Sequence, residues 1–372
     1  MNLDKAPDIY LNVAVEYQET ALDGLKKLYG YSHVLHAGMK TGGRHPGGVI
    51  IFPDGVDVEE VTPVQNSQSH LDYQELDHIV FKLDILKHED PSMMRLLHDL
   101  TGVDPATIPL NDPKVLQLFR STAPLGVSEE QVRTTVATYG IPEMGITFVR
   151  KMLEETKPSS FYELLQIFGL SHGTGTWEGN ARELIRSETC TLQSAIGFRD
   201  NILLDLINYG IEPELAFKIS DSVRKGKGLA AEWTNEMRTC GLPDWYIDSC
   251  QNIKYLMPKA HAVSYVISAI RNMFYKLYYP LEFYAAFFTV RGKSFESDVC
   301  LQGVEAILEK LVQMEEKQES DPGYDRDIMS LEVALEMTAR GYHFKKRSDG
   351  GFAVADTHRH IAVPAAVSVA ST

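Results

Sequence analysis

Hydrophobic and polar positions follow one rhythm over the first ninety residues and another beyond them. Residues 7–13 (PDIYLNV) read as a short strand and residues 47–53 (GGVIIFP) as a buried one. Residues 78–85 (HIVFKLDI) alternate, with Ile79, Phe81 and Leu83 on one face and Val80, Lys82 and Asp84 on the other. Glu16 to Tyr29 carries helical spacing and stops at Gly30, a residue suited to the turn after a helix. After Asp90 the pattern is almost wholly helical. Asp90-Pro91 and Asp112-Pro113 each set a capping acid before a proline at the first helical position. Ser128-x-x-Gln131 and Ser160-x-x-Glu163 have the form of capping boxes, and Gly102 and Gly140 end helices. Further helices are predicted at 201–209, 212–224, 243–254, 260–278, 299–317 and 326–340, and strand signals nearly vanish between 100 and 340. The expected fold is α+β and predominantly α: a small mixed sheet domain followed by a large helical one. The last residues, from 346 to 372, are rich in small side chains and predict a weakly ordered tail.

Composition narrows the function classes. Hydrophobic residues make up 44% of the 372 and charged residues 23%, which excludes overall disorder. Lys plus Arg number 36 against 51 Asp plus Glu, a net charge of −15. That excludes the broad basic surface of a generic polyanion binder and leaves room for a local basic stripe. The four cysteines, Cys190, Cys240, Cys250 and Cys300, form no C-x-x-C, so neither a disulfide framework nor a structural zinc site is expected. No apolar run approaches the ~18 residues of a membrane helix. Tyr278 to Val290 comes nearest and is broken by Pro280 and Glu282. A cytoplasmic protein with no membrane contact is expected.

Several segments carry chemistry, each with a plainer reading beside it. Strand alternation sets Asp8, Tyr10 and Asn12 on one face, while Asp84 shares its face with Lys82. Two strands that each project a carboxylate could hold Mg²⁺, which favours a few carboxylates plus substrate phosphates. They are equally ordinary strand acids. Residues 40–48 (KTGGRHPGG) join glycines to Lys40, Arg44 and His45, a combination suited to an anion or to a hairpin connection. Residues 171–175 (SHGTG) place His172 in a phosphate or sugar loop or a helix-ending turn. In RKGKG, the cations Arg224, Lys225 and Lys227 either meet a nucleic-acid backbone or answer the dipole of the helix they end. PKAHAVSY opens a long helix with Lys259 and His261 in its first turn, where free amides attract anions; His261 shares a face with Tyr265, and Arg271 and Lys276 continue the basic character. A structural histidine is the alternative there. Arg199 stands before Asp200, a capping candidate, as a phosphate ligand or a surface ion-pair partner. His358 and His360 would form a metal pair if they shared one strand face.

Taken in order, PDIYLN, TGGRHPGG, HIVFKLDILKHEDP, PLGVSEEQV, GLSHGTGTWEGNA, IGFRDN, VRKGKGL, WYIDSC and PKAHAVSYV resemble the PolC-type DNA polymerase III α subunit, the C-family replicative polymerase. The resemblance runs from about residue 6 to about residue 345. It implies a partial palm domain over 1–95, a helical fingers domain over 96–298 and post-fingers helices over 299–345. It further implies two-metal nucleotidyl transfer of a dNTP to a primer 3′-hydroxyl, with Mg²⁺ as cofactor and primer-template DNA and other replisome subunits as partners. The family carries two palm aspartates in a PDIDLNF strand and one in an LKLDIL strand. Asp8 matches the first and Asp84 the third, while Tyr10 stands at the second. The long stretch that the family carries between His36-Ala37-Gly38 and the TGGRHPGG turn is missing here. The resemblance therefore implies catalysis through Asp8 and Asp84 that is impaired. It assigns Arg44, His45, His172, Arg199, Lys259 and His261 to the nucleotide and Arg224, Lys225 and Lys227 to DNA. A non-catalytic polymerase remnant that binds nucleotide or DNA is the other expectation.

Overall fold

In the computed structural model of the chain, residues 9–38, 44–72, 76, 79–292, 296–315, 324–349 and 351–363 are described. For Arg44 and His45 the description covers the backbone alone, and Asp8 and Lys40 lie outside the described residues. The fold is α+β and predominantly α. The chain divides into two compact units, Met1–Leu96 and Leu97–Thr372.

The first unit is built on a six-stranded mixed sheet. Its strands are β1 (Ile9–Ala14), β2 (Val34–Gly38), β3 (Arg44–Ile51), β4 (Val64–Gln65), β5 (Gln68–Asp72) and β6 (Phe81–His88), in the order β1-β6-β3-β2-β5-β4. β1 runs parallel to β6 and β2 to β5, and the other neighbours are antiparallel. The apolar run of β3 is continuous because both sheet faces are covered. Val34, Val49, Ile51, Leu83 and Ile85 pack with Leu22 of helix α1 (Gln18–Tyr29). Leu35, Ala37, Ile50 and Phe52 pack on the other side with Val58, Leu76 and Val80. Each Val, Leu, Ile or Phe among them taken fully out of water contributes about 1.5–3 kcal/mol. Helix α1 ends as expected at Gly30, which takes φ +91°. It starts two residues later than its spacing predicts, because Val15–Tyr17 winds as a 3₁₀ turn.

The second unit is helical. Alongside short turns it contains α3 (Thr147–Thr156), α4 (Phe161–His172), α5 (Arg199–Asn208), α6 (Pro213–Arg224), α7 (Ala231–Thr239), α8 (Asp244–Asn252), α9 (Lys259–Tyr278), α10 (Pro280–Val290), α11 (Val304–Glu315) and α12 (Tyr324–Ala339); α2 (Glu89–Thr101) precedes them. Local capping follows the sequence closely. Asp112 accepts from Lys114 N at 2.9 Å and Val115 N at 3.2 Å, and Ser128 with Gln131 forms the reciprocal capping box. Three starts differ. The α2 helix begins at Glu89, so Asp90 lies within its first turn rather than capping it. Helix α5 begins at Arg199, and Asn201 Oδ1, not Asp200, accepts the preceding Phe198 N–H at 2.9 Å. Ser160 caps α4, but Glu163 turns its carboxylate to Ser159 N–H at 2.6 Å, leaving the box half formed.

The tail is more ordered than its composition predicts. Strands β7 (His343–Lys346), β8 (Phe352–Ala355) and β9 (His360–Val363) form an antiparallel sheet that buries Ala353, Val354 and Ala355, with β8 and β9 lying against α10. His358 sits in the turn that Asp356 caps, and His360 opens β9. The two do not share a strand face, and among the described residues no metal-binding cluster of His, Cys, Asp or Glu exists.

Lys276 also departs from its reading as part of a basic helix face. It is fully buried, and its Nζ donates to Ala137 O at 2.8 Å and Tyr139 O at 2.7 Å and pairs with Glu336 Oε1 at 2.8 Å. Tyr284 O–H donates to the same Glu336 oxygen at 2.7 Å, and Arg340 donates to Lys276 O and to Tyr284 Oη, each at 3.0 Å. This network ties α9, α10 and α12 to the 137–140 turn.

Candidate functional site

The SHGTG segment continues the C-terminal end of α4. Phe168 and His172 are four positions apart, so their rings share a helix face and stack at 4.0 Å and 7°. His172 Nδ1 lies 2.9 Å from Ser171 Oγ and 3.1 Å from Phe168 O, and Nε2 lies 3.1 Å from the Glu143 carboxylate. Glu143 reaches it from a tight turn in which it adopts φ +60°, unusual for a residue with a side chain. On α9, the spacing of four that puts His261 beside Tyr265 gives a ring contact of 4.8 Å, and Tyr265 meets Phe168 at 5.4 Å. His172 and His261, 89 positions apart in the sequence, thus lie on one run of rings. Lys259 opens α9, whose N-cap residue, Pro258, makes no side-chain cap bond.

Two of the motif loops meet on one segment. Thr174 of SHGTG exchanges backbone hydrogen bonds with Lys254 and Tyr255 (Lys254 N to Thr174 O 2.8 Å, Thr174 N to Tyr255 O 3.0 Å), and Leu256 N donates to Arg224 O of RKGKG at 3.3 Å. The segment 252–258 that both loops grip leads directly into α9. Gly175 and Gly226 both take φ +71°, and a Cβ at either would strike the carbonyl of Asn252 or Lys254. Their glycines therefore serve close backbone packing between loops; an anion cradle is not what demands them.

The basic residues of RKGKG are partly spent inside the protein. Asp221 Oδ1 accepts from Arg224 Nη2 at 2.9 Å, and Asp221 Oδ2 pairs with Lys225 Nζ at 2.6 Å. Burial pushes the Asp221 carboxyl up, but hydrogen bonds from Lys225 and Arg224 outweigh it and hold the group below its usual value. Lys227 is exposed. Arg199 is half-buried and lies over the Phe217 ring at 5.5 Å. Phe198 beside it fills the space that Gly169 of α4 leaves open.

In the first unit, Asp84 is 5% exposed at the middle of β6, and Lys82 Nζ on the same strand lies 3.0 Å from its carboxylate. Its neighbour on β1 is Tyr10 and its neighbour on β3 is Gly48, which puts no side chain beside it. The described residues thus bring one carboxylate to this point, with an ammonium already against it. A two-ion centre needs several carboxylates around each cation, and Asp8, the other acid assigned to it, lies outside the described residues.

Comparison with known proteins gives this arrangement a context. Residues 86–239 match the bacterial DNA polymerase III alpha subunit finger domain. The chain is 42% identical to DNA polymerase III PolC-type of Bacillus subtilis and 43% identical to that of Halalkalibacterium halodurans, over 92% of its own length and 27% of theirs. The corresponding protein of Listeria monocytogenes is 42% identical over the same shares. The chain is related to one segment of PolC-type DNA polymerase III.

It spans about a quarter of the length of these PolC-type relatives. Each match runs over 393 residues, whereas 92% of 372 is about 342 residues, so about fifty positions of the relatives' segment have no counterpart here. Of the site residues that the resemblance assigns, the structure joins His172 and His261 and puts Lys259 at the same helix start. Arg199 lies over Phe217, Arg224 and Lys225 pair with Asp221, and Lys227 is exposed. Glu143 escaped the sequence reading: it lies 29 residues before His172, in a turn whose only local signal is the PEMG glycine.

Proposed function

We propose that this chain is a palm and fingers segment of a bacterial replicative DNA polymerase, in which binding of dNTP and primer-template outlasts nucleotidyl transfer. The observation that carries this reading is the β1–β6 register. It sets Tyr10 directly across from Asp84, where a polymerase of this type would bring a second carboxylate. The Lys82–Asp84 pair supports it further, since the ammonium occupies the carboxylate that a cation would claim. Mg²⁺, when bound between Asp8 and Asp84, would neutralise charge on the reacting phosphate. The described residues supply Asp84 alone. The fingers retain what a triphosphate requires: two ring-held histidines, Lys259 and the first turn of α9. Other replisome subunits are further partners on this reading.

Equilibrium titration of the full chain with a fluorescent dNTP, with and without Mg²⁺, tests the proposal. Saturable binding that changes little on metal removal is expected, and His172→Ala or His261→Ala should each weaken it about tenfold, the value of a hydrogen bond to a charged group. Strict metal dependence would show a working palm, and absence of dNTP binding would end the reading altogether. DNA affinity should fall with salt. Contacts from Arg224, Lys225 and Lys227 to three phosphates predict a log–log slope of about −2.7. A flat response between low and physiological salt contradicts those contacts.

A further inference from the structure

His172 Nε2, the ring nitrogen best placed to meet a phosphate, is already engaged within the protein. It lies 3.1 Å from the Glu143 carboxylate, and the two side chains keep 25% and 37% of their surface exposed. An ionised carboxylate only accepts hydrogen bonds, so Nε2 carries a proton and donates it to Glu143. The other ring nitrogen offers no substitute. Nδ1 faces back into the end of α4, with Ser171 Oγ at 2.9 Å and Phe168 O at 3.1 Å. The ring itself is held by its stack on Phe168 at 4.0 Å. A phosphate oxygen that is to use this histidine must therefore take the place of Glu143.

The turn that carries Glu143 suits it to yield that place through its side chain alone. Ile141 N donates to Thr138 O at 3.0 Å and Gly145 N to Ile141 O at 2.9 Å, which pins the main chain on both sides of Glu143. Gly145 packs so closely that a Cβ there would lie 2.7 Å from Thr138 O. The backbone is thus fixed, while the half-exposed carboxylate has solvent to turn into.

We propose that Glu143 is an internal anion that occupies the Nε2–H of His172 until a triphosphate displaces it, and so sets the affinity of the fingers for nucleotide. This rests on the reading that His172 meets the triphosphate. A hydrogen bond to a charged acceptor is stronger than one to a neutral acceptor, and a carboxylate beside an incoming phosphate repels it. Both effects oppose the nucleotide. Glutamine at position 143 keeps the shape and an accepting oxygen but removes the charge.

The test is calorimetric titration of the full chain with dATP, at low ionic strength and without Mg²⁺. Glu143→Gln should bind dATP about tenfold more tightly than the unmodified chain, the value of one hydrogen bond to a charged group. The gain should vanish when His172 is also replaced by alanine, because it acts through Nε2–H. Unchanged or weaker binding in Glu143→Gln overturns the proposal, and weaker binding would make Glu143 a residue that positions the histidine. A gain that survives in full in His172→Ala/Glu143→Gln overturns it too, since the carboxylate would then act without holding the ring. If neither protein binds dATP, the nucleotide reading itself fails and the proposal falls with it; if both bind it equally, the proposal falls alone.

Discussion

Replacing Lys276 by alanine is expected to destabilise the helical unit by about 3–5 kcal/mol, the range for removing one partner of a buried ion pair. Lys276 and Glu336 are both 0% exposed, so the variant leaves a carboxylate in the core with Tyr284 O–H as its remaining hydrogen-bond donor. It also strips the carbonyls of Ala137 and Tyr139 of a shared donor. The loss is large against the ~5–15 kcal/mol that holds a typical domain folded. Chemical denaturation of the wild type, Lys276→Ala and the double variant Lys276→Met/Glu336→Met measures it. The double variant should recover most of the loss, because two well-packed apolar side chains can replace a buried pair at little cost. If the single variant loses under ~1 kcal/mol, the pair is not the tie that its burial implies.

The same group gives a pH dependence with a definite sign. Burial, against the attraction of Glu336, pushes the Lys276 ammonium down from 10.5 to about 8. Between about pH 8 and 10.5 the unfolded chain holds this proton and the folded chain does not. Stability therefore rises with pH across that window through this group, and below pH 8 the cost of burying the charge is borne in full. In the double variant that increment should be absent. A stability curve from pH 7.5 to 10 for both proteins separates it from other titrations.

What was legible in the sequence is local or periodic. Gly30, Asp112 and Ser128 do what their neighbours within four residues require, and strands form at the apolar run of β3 and the alternating run of β6, whereas β2, β4 and β5 carry no reading. The ring run was half legible: spacing put His261 beside Tyr265, but only the packing of α4 on α9 joins them to Phe168 and His172. Pairings across long separations left no trace. Lys276 lies in a helix that also carries Lys259 and Arg271, and its partner Glu336 is sixty residues away, so its charge reads as surface until burial is known. Gly175 and Gly226 look like anion-loop glycines because the need for close backbone approach comes from a third segment, 252–255. The tail misled for a different reason. Ala353 and Ala355 are small enough to read as unpatterned, yet a paired strand against α10 asks for little more.

Tyr10→Asp is expected to raise Mg²⁺-dependent primer extension by about 10²–10³-fold over the unmodified chain, the scale of restoring one preorganised group that acts on transition-state charge. Tyr10 and Asp84 are partners in adjacent parallel strands, which lie about 4.8 Å apart. An aspartate there would set two carboxylates within reach of one ion whose oxygen ligands lie at ~2.1 Å. Tyr10 is 49% exposed, so the exchange empties no core volume and should leave the fold intact. Lys82 opposes the gain, since its ammonium at 3.0 Å must yield the Asp84 carboxylate to the cation. Calorimetry should therefore detect Mg²⁺ binding in Tyr10→Asp and, more strongly, in Tyr10→Asp/Lys82→Met. Tyr10→Asn, of nearly the same size without the charge, should stay at the level of the unmodified chain in both assays. If Tyr10→Asp neither binds Mg²⁺ nor extends a primer faster, the β1–β6 register does not limit the chemistry, and the proposal that rests on it falls.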